Sequence, residues 1–171
     1  HENEIAQAEA LTGKPFARYW IHHGLLTING QKMAKSLGNF ITIQDALKKH
    51  PPDDLKMFFL LSHYASPIDY SEEKIIEAHK ALNRLAILFQ EAAALPGGKE
   101  SANAHPLVSD FEQKLAEAMD DDFNTPKALG VLFEWVSEVY KDKSRTDYPL
   151  LLEQSAVKIR GLAQTIFGVF P

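Results

Sequence analysis

The spacing of apolar residues after Ser71 constrains the fold of this 171-residue chain more than any other feature. Apolar side chains recur there at intervals of three and four residues, which places them on one face of an α-helix. The first run comprises Ile75, Ala78, Leu82, Leu85 and Phe89. Comparable runs lie within residues 107–119, 129–140 and 151–166. Because such faces must be buried against one another, the spacing predicts a helix bundle from residue 71 onward, with a linker at residues 96–106.

The first seventy residues have a different pattern, in which short helices accompany a strand. Residues 2–11 predict a helix that ends at a glycine. Residues 17–28 are rich in aromatic and β-branched types and predict a strand. Thr42 is a suitable N-cap for a short helix at residues 43–49. A further helix can begin near Pro52, because the two aspartates that follow this proline suit the first turn of a helix.

A loop between the predicted strand and the first short helix carries the most suggestive chemistry. The pair Asn29-Gly30 strongly favours a tight hairpin turn, so residues 30–39, here named the lysine loop, should project from a β-hairpin. The loop contains Lys32 and Lys35, with Ser36 beside the second lysine. Paired lysines are most often solvated surface charges, but ammonium groups on a mobile loop also suit contact with a polyphosphate.

The loop sequence Lys32-Met33-Ala34-Lys35-Ser36, followed by Leu-Gly-Asn, resembles the KMSKS signature of class I aminoacyl-tRNA synthetases. Ala34 stands where that family usually has serine. The departure removes a hydroxyl and leaves both positive charges.

Three further strings, in the same order along the chain, resemble cysteinyl-tRNA synthetases in particular. They are His-Glu-Asn-Glu-Ile-Ala-Gln from His1, Leu-Leu-Ser-His-Tyr from Leu60, and Asp-Asp-Asp-Phe-Asn-Thr-Pro from Asp120. The spacing of residues 12–24 before the lysine loop is also similar. By this resemblance the chain is identified as a segment of a cysteinyl-tRNA synthetase.

The resemblance implies a mainly α fold in three parts. Residues 1–40 would be the C-terminal end of a Rossmann catalytic domain, with a short β-hairpin that bears the lysine loop. Residues 41–70 would form a stem-contact segment, and residues 71–171 part of an α-helical bundle that binds tRNA. The HIGH motif of the catalytic domain and the extreme C-terminus of the family are absent from these residues, so we expect the segment alone to be catalytically inactive.

The implied reaction is the ATP-dependent attachment of cysteine to tRNA(Cys) through a cysteinyl-adenylate, with magnesium accompanying ATP. Lys35, supported by Lys32, would be catalytic, because ammonium groups stabilise charge that builds on phosphoryl oxygens in the transition state. Both lysines and Ser36 would bind ATP. For Ser36, a hydrogen bond to phosphate and a cap on the following turn remain equally open.

The resemblance also implies a zinc ion held by two cysteines, a histidine and a glutamate in the full-length parent. Alignment of the first string places Glu4 as the glutamate ligand, and its histidine would precede His1. The 171 residues contain no cysteine. We therefore expect this segment alone to hold no zinc, because one carboxylate does not make a four-coordinate site.

Other polar residues have both a structural and a functional interpretation. His22 and His23 could alternate across a strand or contact adenine or ribose. His63 and Tyr64 could pack at the end of a helix or contact tRNA. The acidic residues 120–122 could bind a metal, although a helix end followed by a cap is the favoured interpretation.

Composition restricts the remaining possibilities. The net charge of −5 argues against a generally basic nucleic-acid binder, without excluding a local basic patch. No apolar run approaches the roughly 20 residues needed to span a bilayer, so we expect no membrane partner. For the ligase that the resemblance implies, we expect a cytoplasmic location and a monomer. Two alternatives to the tRNA ligase stay open: a cysteine:amino-sugar ligase of mycothiol synthesis, and a non-catalytic paralogue that binds RNA or protein.

Overall fold

The computed structural model describes residues 1–95 and 105–170, and these residues are mainly helical with one small sheet. The α-helices of the described residues are α1 Glu2–Thr12, α2 Ile43–Lys49, α3 Pro52–Leu60, α4 Glu72–Ala93, α5 Pro106–Asp120, α6 Thr125–Tyr140 and α7 Tyr148–Leu162. The strands are β1 Leu26–Ile28, β2 Gln31–Lys32 and β3 Ile68–Tyr70. The predicted fold class, mainly α with a short β-hairpin ahead of a helix bundle, is confirmed. Across both described ranges, no helix has the length and apolar character that crossing a membrane requires.

Helices α4 to α7 pack into the predicted bundle, and their apolar faces form its core. All five apolar residues of the first run, from Ile75 to Phe89, are buried. The aromatic rings of Phe111 and Trp135 stack at a centroid distance of 5.4 Å, which joins α5 to α6. Nine of the eleven predicted linker residues, 96–104, lie outside the described part of the chain. The next residue, His105, caps α5 by accepting a hydrogen bond from the amide of Leu107.

The end of the last helix departs from the predicted face. Helix α7 passes into a π-helical turn at Ala163–Phe167, which adds a residue to each turn of backbone. The turn places Phe167 in the core and leaves Ile166 45% exposed. The apolar run predicted within residues 151–166 is therefore wrong at its last residue, Ile166, because the α-helical backbone ends at Leu162.

The sheet has the strand order β2-β1-β3. Strands β1 and β2 form the predicted antiparallel hairpin, and Asn29 and Gly30 have φ angles of 49° and 75°. Positive φ at both positions is what a type I′ turn requires. Strand β3, which was not predicted from the residue pattern, pairs parallel to β1 and places Asp69 opposite Thr27.

Most of the strand predicted at residues 17–28 is not formed. Only Leu26–Ile28 pairs, and residues 17–25 have irregular backbone. Tyr19 is 85% exposed and Ile21 64% exposed. Strand propensity expresses packing against a neighbouring strand, and no strand of the described residues lies beside this stretch.

Helix α3 is fixed to the bundle near its beginning, and it packs chiefly against α4. The carboxylate of Asp53 accepts a hydrogen bond from the amide of Phe170 at 3.0 Å. The ammonium group of Lys56 donates to the carbonyl of Gly168 at 2.5 Å and to Asp53 at 3.2 Å. Met57 and Phe58 are buried in the core that α3 shares with the bundle. The bundle therefore holds α3, and through it the segment that leads to β3.

Candidate functional site

The hairpin formed by β1 and β2 presents the lysine loop at the surface. Lys32 ends β2, and Lys35 begins a short 3₁₀ turn at Lys35–Leu37. The turn is closed by Gly38, which has a φ of 66° and donates its amide hydrogen to the carbonyl of Lys35 at 3.2 Å. A left-handed backbone conformation at this position favours glycine, because glycine has no Cβ that would clash.

Both loop lysines have exposed ammonium groups. Lys35 lies over the ring of Phe40, with its Nζ 5.5 Å from the ring centroid. In the part of the chain that the structure describes, no carboxylate lies within 4.0 Å of either Nζ. Two positive charges on one loop therefore remain available to an anionic ligand. Ser36 is exposed inside the 3₁₀ turn, and the cap of the following helix α2 comes from Thr42, as predicted.

Asn39 organises the loop, a role that its place in the signature string does not reveal. Its side-chain amide donates to the carbonyl of Lys32 at 3.0 Å. Its side-chain oxygen accepts from the amide of Ala34 at 2.9 Å. One carboxamide thus ties the end of the loop to its beginning. The asparagine itself, two residues after Leu37, could have indicated this role, because asparagine side chains commonly form hydrogen bonds with nearby backbone groups.

Asp69 on β3 holds the root of the hairpin. Its Oδ1 atom accepts a hydrogen bond from the hydroxyl of Thr27 at 2.6 Å and another from the amide of Gly30 at 2.6 Å. These two hydrogen bonds, with that from Thr27 the larger, hold the pKa of the Asp69 carboxyl below its ordinary value. A carboxylate that bonds both a strand residue and the turn glycine restricts how the hairpin can tilt.

Glu4, the proposed metal ligand, lies on α1 with its side chain 62% exposed. Residues 1–95 and 105–170 contain no group of three or more histidine, aspartate or glutamate side chains placed to hold a metal ion. The described residues therefore do not fit a complete zinc site, which needs four ligands.

The histidines before the lysine loop are not placed as a strand pair. The ring of His22 lies 5.1 Å from that of His1, and His1 also stacks on Trp20 at 5.2 Å. The Nδ1 atom of His23 lies 2.8 Å from the carbonyl oxygen of Gly24. The interpretation in which His22 and His23 alternate across a strand was wrong, because residues 17–25 form no strand. Contact with a nucleotide stays a prediction.

The acidic residues 120–122 form the end of α5 and the turn that follows it. Asn124 caps α6 by accepting a hydrogen bond from the amide of Lys127, so the favoured interpretation as a helix end and a cap is confirmed. Asp121 forms an ion pair with Lys127 at 2.9 Å. Asp122 accepts a hydrogen bond from the hydroxyl of Tyr64 at 2.7 Å. The structure thus brings together two of the family-like strings, those beginning at Leu60 and at Asp120.

Comparison with known proteins relates both halves of the chain to tRNA synthetases. Residues 1–80 match the model of the class I (C) tRNA synthetase catalytic domain, and residues 114–170 match that of the DALR domain. Cysteine–tRNA ligase of Legionella pneumophila (strain Philadelphia 1) is 52% identical over 84% of this chain and 30% of its own length. That of Aquifex aeolicus is 46% identical over 85% of this chain and 31% of its own length.

A third relative, cysteine–tRNA ligase of Sulfurihydrogenibium sp., is 43% identical over 99% of this chain. The chain spans about a third of the length of these relatives. Among solved structures, LeuRS of Agrobacterium radiobacter K84, in a ternary complex with tRNA and LeuAMS, superposes with a TM-score of 0.69 at 18% identity. That superposition covers 94% of this chain and 22% of the other, and it supports the fold. The chain belongs to the cysteine–tRNA ligase family of class I aminoacyl-tRNA synthetases.

Proposed function

We propose that this chain is the part of a cysteine–tRNA ligase that brings the lysine loop to ATP and joins it to the tRNA-binding helices. The observation that carries the proposal is the pair of exposed ammonium groups, on Lys32 and Lys35, held on a loop that Asn39 and Asp69 fix to the fold. The sequence identity to cysteine–tRNA ligases supports cysteine and tRNA(Cys) as the substrates.

In the proposed reaction the carboxylate of cysteine attacks the α-phosphorus of ATP and forms the cysteinyl-adenylate. The bond between the α-phosphorus and the bridging oxygen breaks, and pyrophosphate leaves with that electron pair. Lys35, supported by Lys32, stabilises the negative charge that grows on the phosphoryl oxygens, which lowers the transition state more than the ground state. Ser36 contributes a hydrogen bond to a phosphate oxygen. Magnesium, when bound with ATP, supplies further charge neutralisation.

The second step transfers the cysteinyl group to the terminal ribose of tRNA(Cys) and releases AMP. Residues 1–40 serve the catalytic domain, residues 41–70 contact the acceptor stem, and residues 71–171 belong to the tRNA-binding bundle. Glu4 is the zinc ligand that this segment contributes to its full-length parent, a cytoplasmic monomer. The segment alone is inactive. The match of residues 114–170 to the DALR domain favours the tRNA ligase over an amino-sugar ligase or a non-catalytic paralogue.

The test is pyrophosphate exchange with cysteine by the full-length protein that contains this segment. Replacing Lys35 with alanine should reduce kcat/KM by about 100-fold or more, the usual loss when one donor to a transition-state anion is removed. Lys32→Ala should cause a smaller loss. Lys49, an exposed lysine at the end of α2, provides the control, and Lys49→Ala should leave the exchange rate unchanged.

Two outcomes would contradict the proposal. Full activity of the Lys35→Ala enzyme would remove the lysine loop from the chemistry. Measurable exchange by the isolated 171-residue chain would show that the reaction does not need residues outside it.

A further inference from the structure

Tyr64 makes a hydrogen bond to the helix bundle through its side chain. Its hydroxyl donates to Oδ1 of Asp122 at 2.7 Å, and the Nε2 atom of the neighbouring His63 lies 3.1 Å from the carbonyl oxygen of Asp122. The rings of His63 and Tyr64 stack at 4.8 Å. His63 and Tyr64, two consecutive residues after α3, therefore both contact Asp122 in the turn between α5 and α6.

Tyr64 also bonds the start of the hairpin through its backbone. Its carbonyl accepts a hydrogen bond from the amide of Gly24 at 2.8 Å, two residues before β1 begins at Leu26. The carbonyl of Leu25 then accepts from the amide of Ile68 at 2.9 Å, which opens the parallel pairing of β1 with β3. A single residue thus joins the bundle on one side to the strand that carries the lysine loop on the other.

The turn that receives Tyr64 has an unusual backbone. Asp122 and Phe123 both have positive φ, at 55° and 52°. Left-handed backbone is disfavoured for residues with a Cβ and persists where the surroundings hold it in place. The hydrogen bond from Tyr64, the ion pair of Asp121 with Lys127 and the Asn124 cap provide that hold. A turn held by these contacts presents the Asp122 side chain to Tyr64 in a defined position.

We propose that Tyr64 is a positioning residue for the lysine loop, which it places relative to the tRNA-binding bundle by bonding Asp122 and Gly24 at once. The inference rests on the proposed function, because it assigns Tyr64 to the same reaction. Tyr64 itself acts through the hairpin. Loss of its hydroxyl should loosen the start of the hairpin against the bundle while the bundle stays folded.

The first test is amide hydrogen exchange in the 171-residue chain. Tyr64→Phe keeps the ring and removes the bond to Asp122. Exchange at the amides of Gly24 and Ile68 should quicken by about fivefold, the effect of one net hydrogen bond. Core amides of the bundle should be unchanged. Tyr148→Phe is the control, because its hydroxyl is buried without a hydrogen-bond partner in the described residues.

Substitutions at Asp122 separate positioning from general destabilisation. Asp122→Gly, which removes the carboxylate acceptor and still adopts positive φ, should have the same effect on exchange as Tyr64→Phe, and the double variant should show no further effect because both remove one interaction. Asp122→Asn should restore protection, since its amide oxygen still accepts and asparagine tolerates left-handed backbone. Equal acceleration throughout the bundle, or none at Gly24 and Ile68, would overturn the inference.

Pyrophosphate exchange by the full-length protein gives the functional readout. Tyr64→Phe should lower kcat and kcat/KM equally, by about fivefold, because a misplaced loop loses contacts made only in the transition state. A rise in KM for ATP with unchanged kcat would overturn the positioning role. If the wild-type protein showed no exchange at all, the proposed function would fail, while amide exchange would still decide whether Tyr64 couples the hairpin to the bundle.

Discussion

The side-chain amide of Asn39 bonds the backbone carbonyl of Lys32 across the base of the lysine loop at 3.0 Å. The residue that ends the loop therefore fixes the position of the lysine that begins it. Because the same side chain also accepts from the amide of Ala34, the loop has a defined shape before any ligand binds. Preorganised charges are more effective in the transition state than charges that must first be arranged.

Replacing Asn39 with alanine should loosen the loop and leave the bundle unaffected. Hydrogen exchange at the amide of Ala34 should quicken about fivefold, as expected for the loss of one net hydrogen bond of about 1 kcal/mol. Asn39→Asp is the matched control, since it keeps the acceptor for Ala34 and loses the donor to Lys32. Protection of the Ala34 amide should therefore persist in Asn39→Asp. An unchanged rate in Asn39→Ala would mean that the carboxamide does not shape the loop.

Asp69 should make the hairpin sensitive to acid. Its pKa is lowered from the ordinary value of 3.8 by the hydrogen bonds from Thr27 and Gly30. A carboxyl whose pKa is depressed by folding contributes stability that is fully present above its unfolded pKa and is lost as the pH falls through its folded pKa. An NMR titration should therefore show the Gly30 amide losing its hydrogen-bonded shift below pH 3.8.

The variant Asp69→Asn should abolish that transition. Asp120→Asn, at the exposed end of α5, makes the same change of charge away from the hairpin and is its control. A Gly30 amide that titrated identically in wild type and Asp69→Asn would disprove the assignment.

Gly24 is required by close packing beside the segment that leads to β3. A Cβ at this position would overlap the backbone of Ser66 and Pro67. Gly24→Ala should therefore lower the free energy of unfolding by about 1–3 kcal/mol, as overpacking does. Gly130, in the middle of α6, has open space where a methyl group would lie, so Gly130→Ala should raise stability by about 0.5–1 kcal/mol. Urea unfolding of both variants measures the two effects, and a shift of the same sign in each would refute the steric argument.

Two neighbours on α4 should differ sharply in their contribution to stability. Leu85 is 1% exposed and packs in the bundle core, whereas Ile87 is 51% exposed. Leu85→Ala should cost about 2–5 kcal/mol through lost burial and the cavity left behind. Ile87→Ala, a change of similar size on the same helix, should cost far less. Similar unfolding midpoints in urea for the two variants would indicate that the helix does not present these faces as described.

Local features of the fold were predictable because neighbouring residues determine them. The Asn29-Gly30 turn and the cap at Thr42 each depend on contacts within a few residues, and each is found in the structure. The apolar face of α4 follows from helical periodicity alone. The same reasoning failed for residues 17–25, because strand propensity requires a partner strand that the pattern does not reveal.

Contacts between distant parts of the chain left no such pattern. The bond from Tyr64 to Asp122 joins residues 58 apart, and that from Thr27 to Asp69 joins residues 42 apart. The sequence singled out the loop lysines by their signature string. It gave no sign that Asp69 and Tyr64 would fix the hairpin, since their roles arise only after the bundle and the sheet have formed.

Strand β3, which lies directly before α4, has a fixed register because it pairs in parallel with β1. Side chains alternate between the two faces of a strand, so a shift of one residue would turn Asp69 away from Thr27 and Gly30. Ser71 immediately follows β3 and caps α4, so the connection between them has no spare residue that could compensate for a shift in strand register. Inserting or deleting one residue in β3 would therefore displace the hairpin that carries Lys32 and Lys35, although both lysines remained intact.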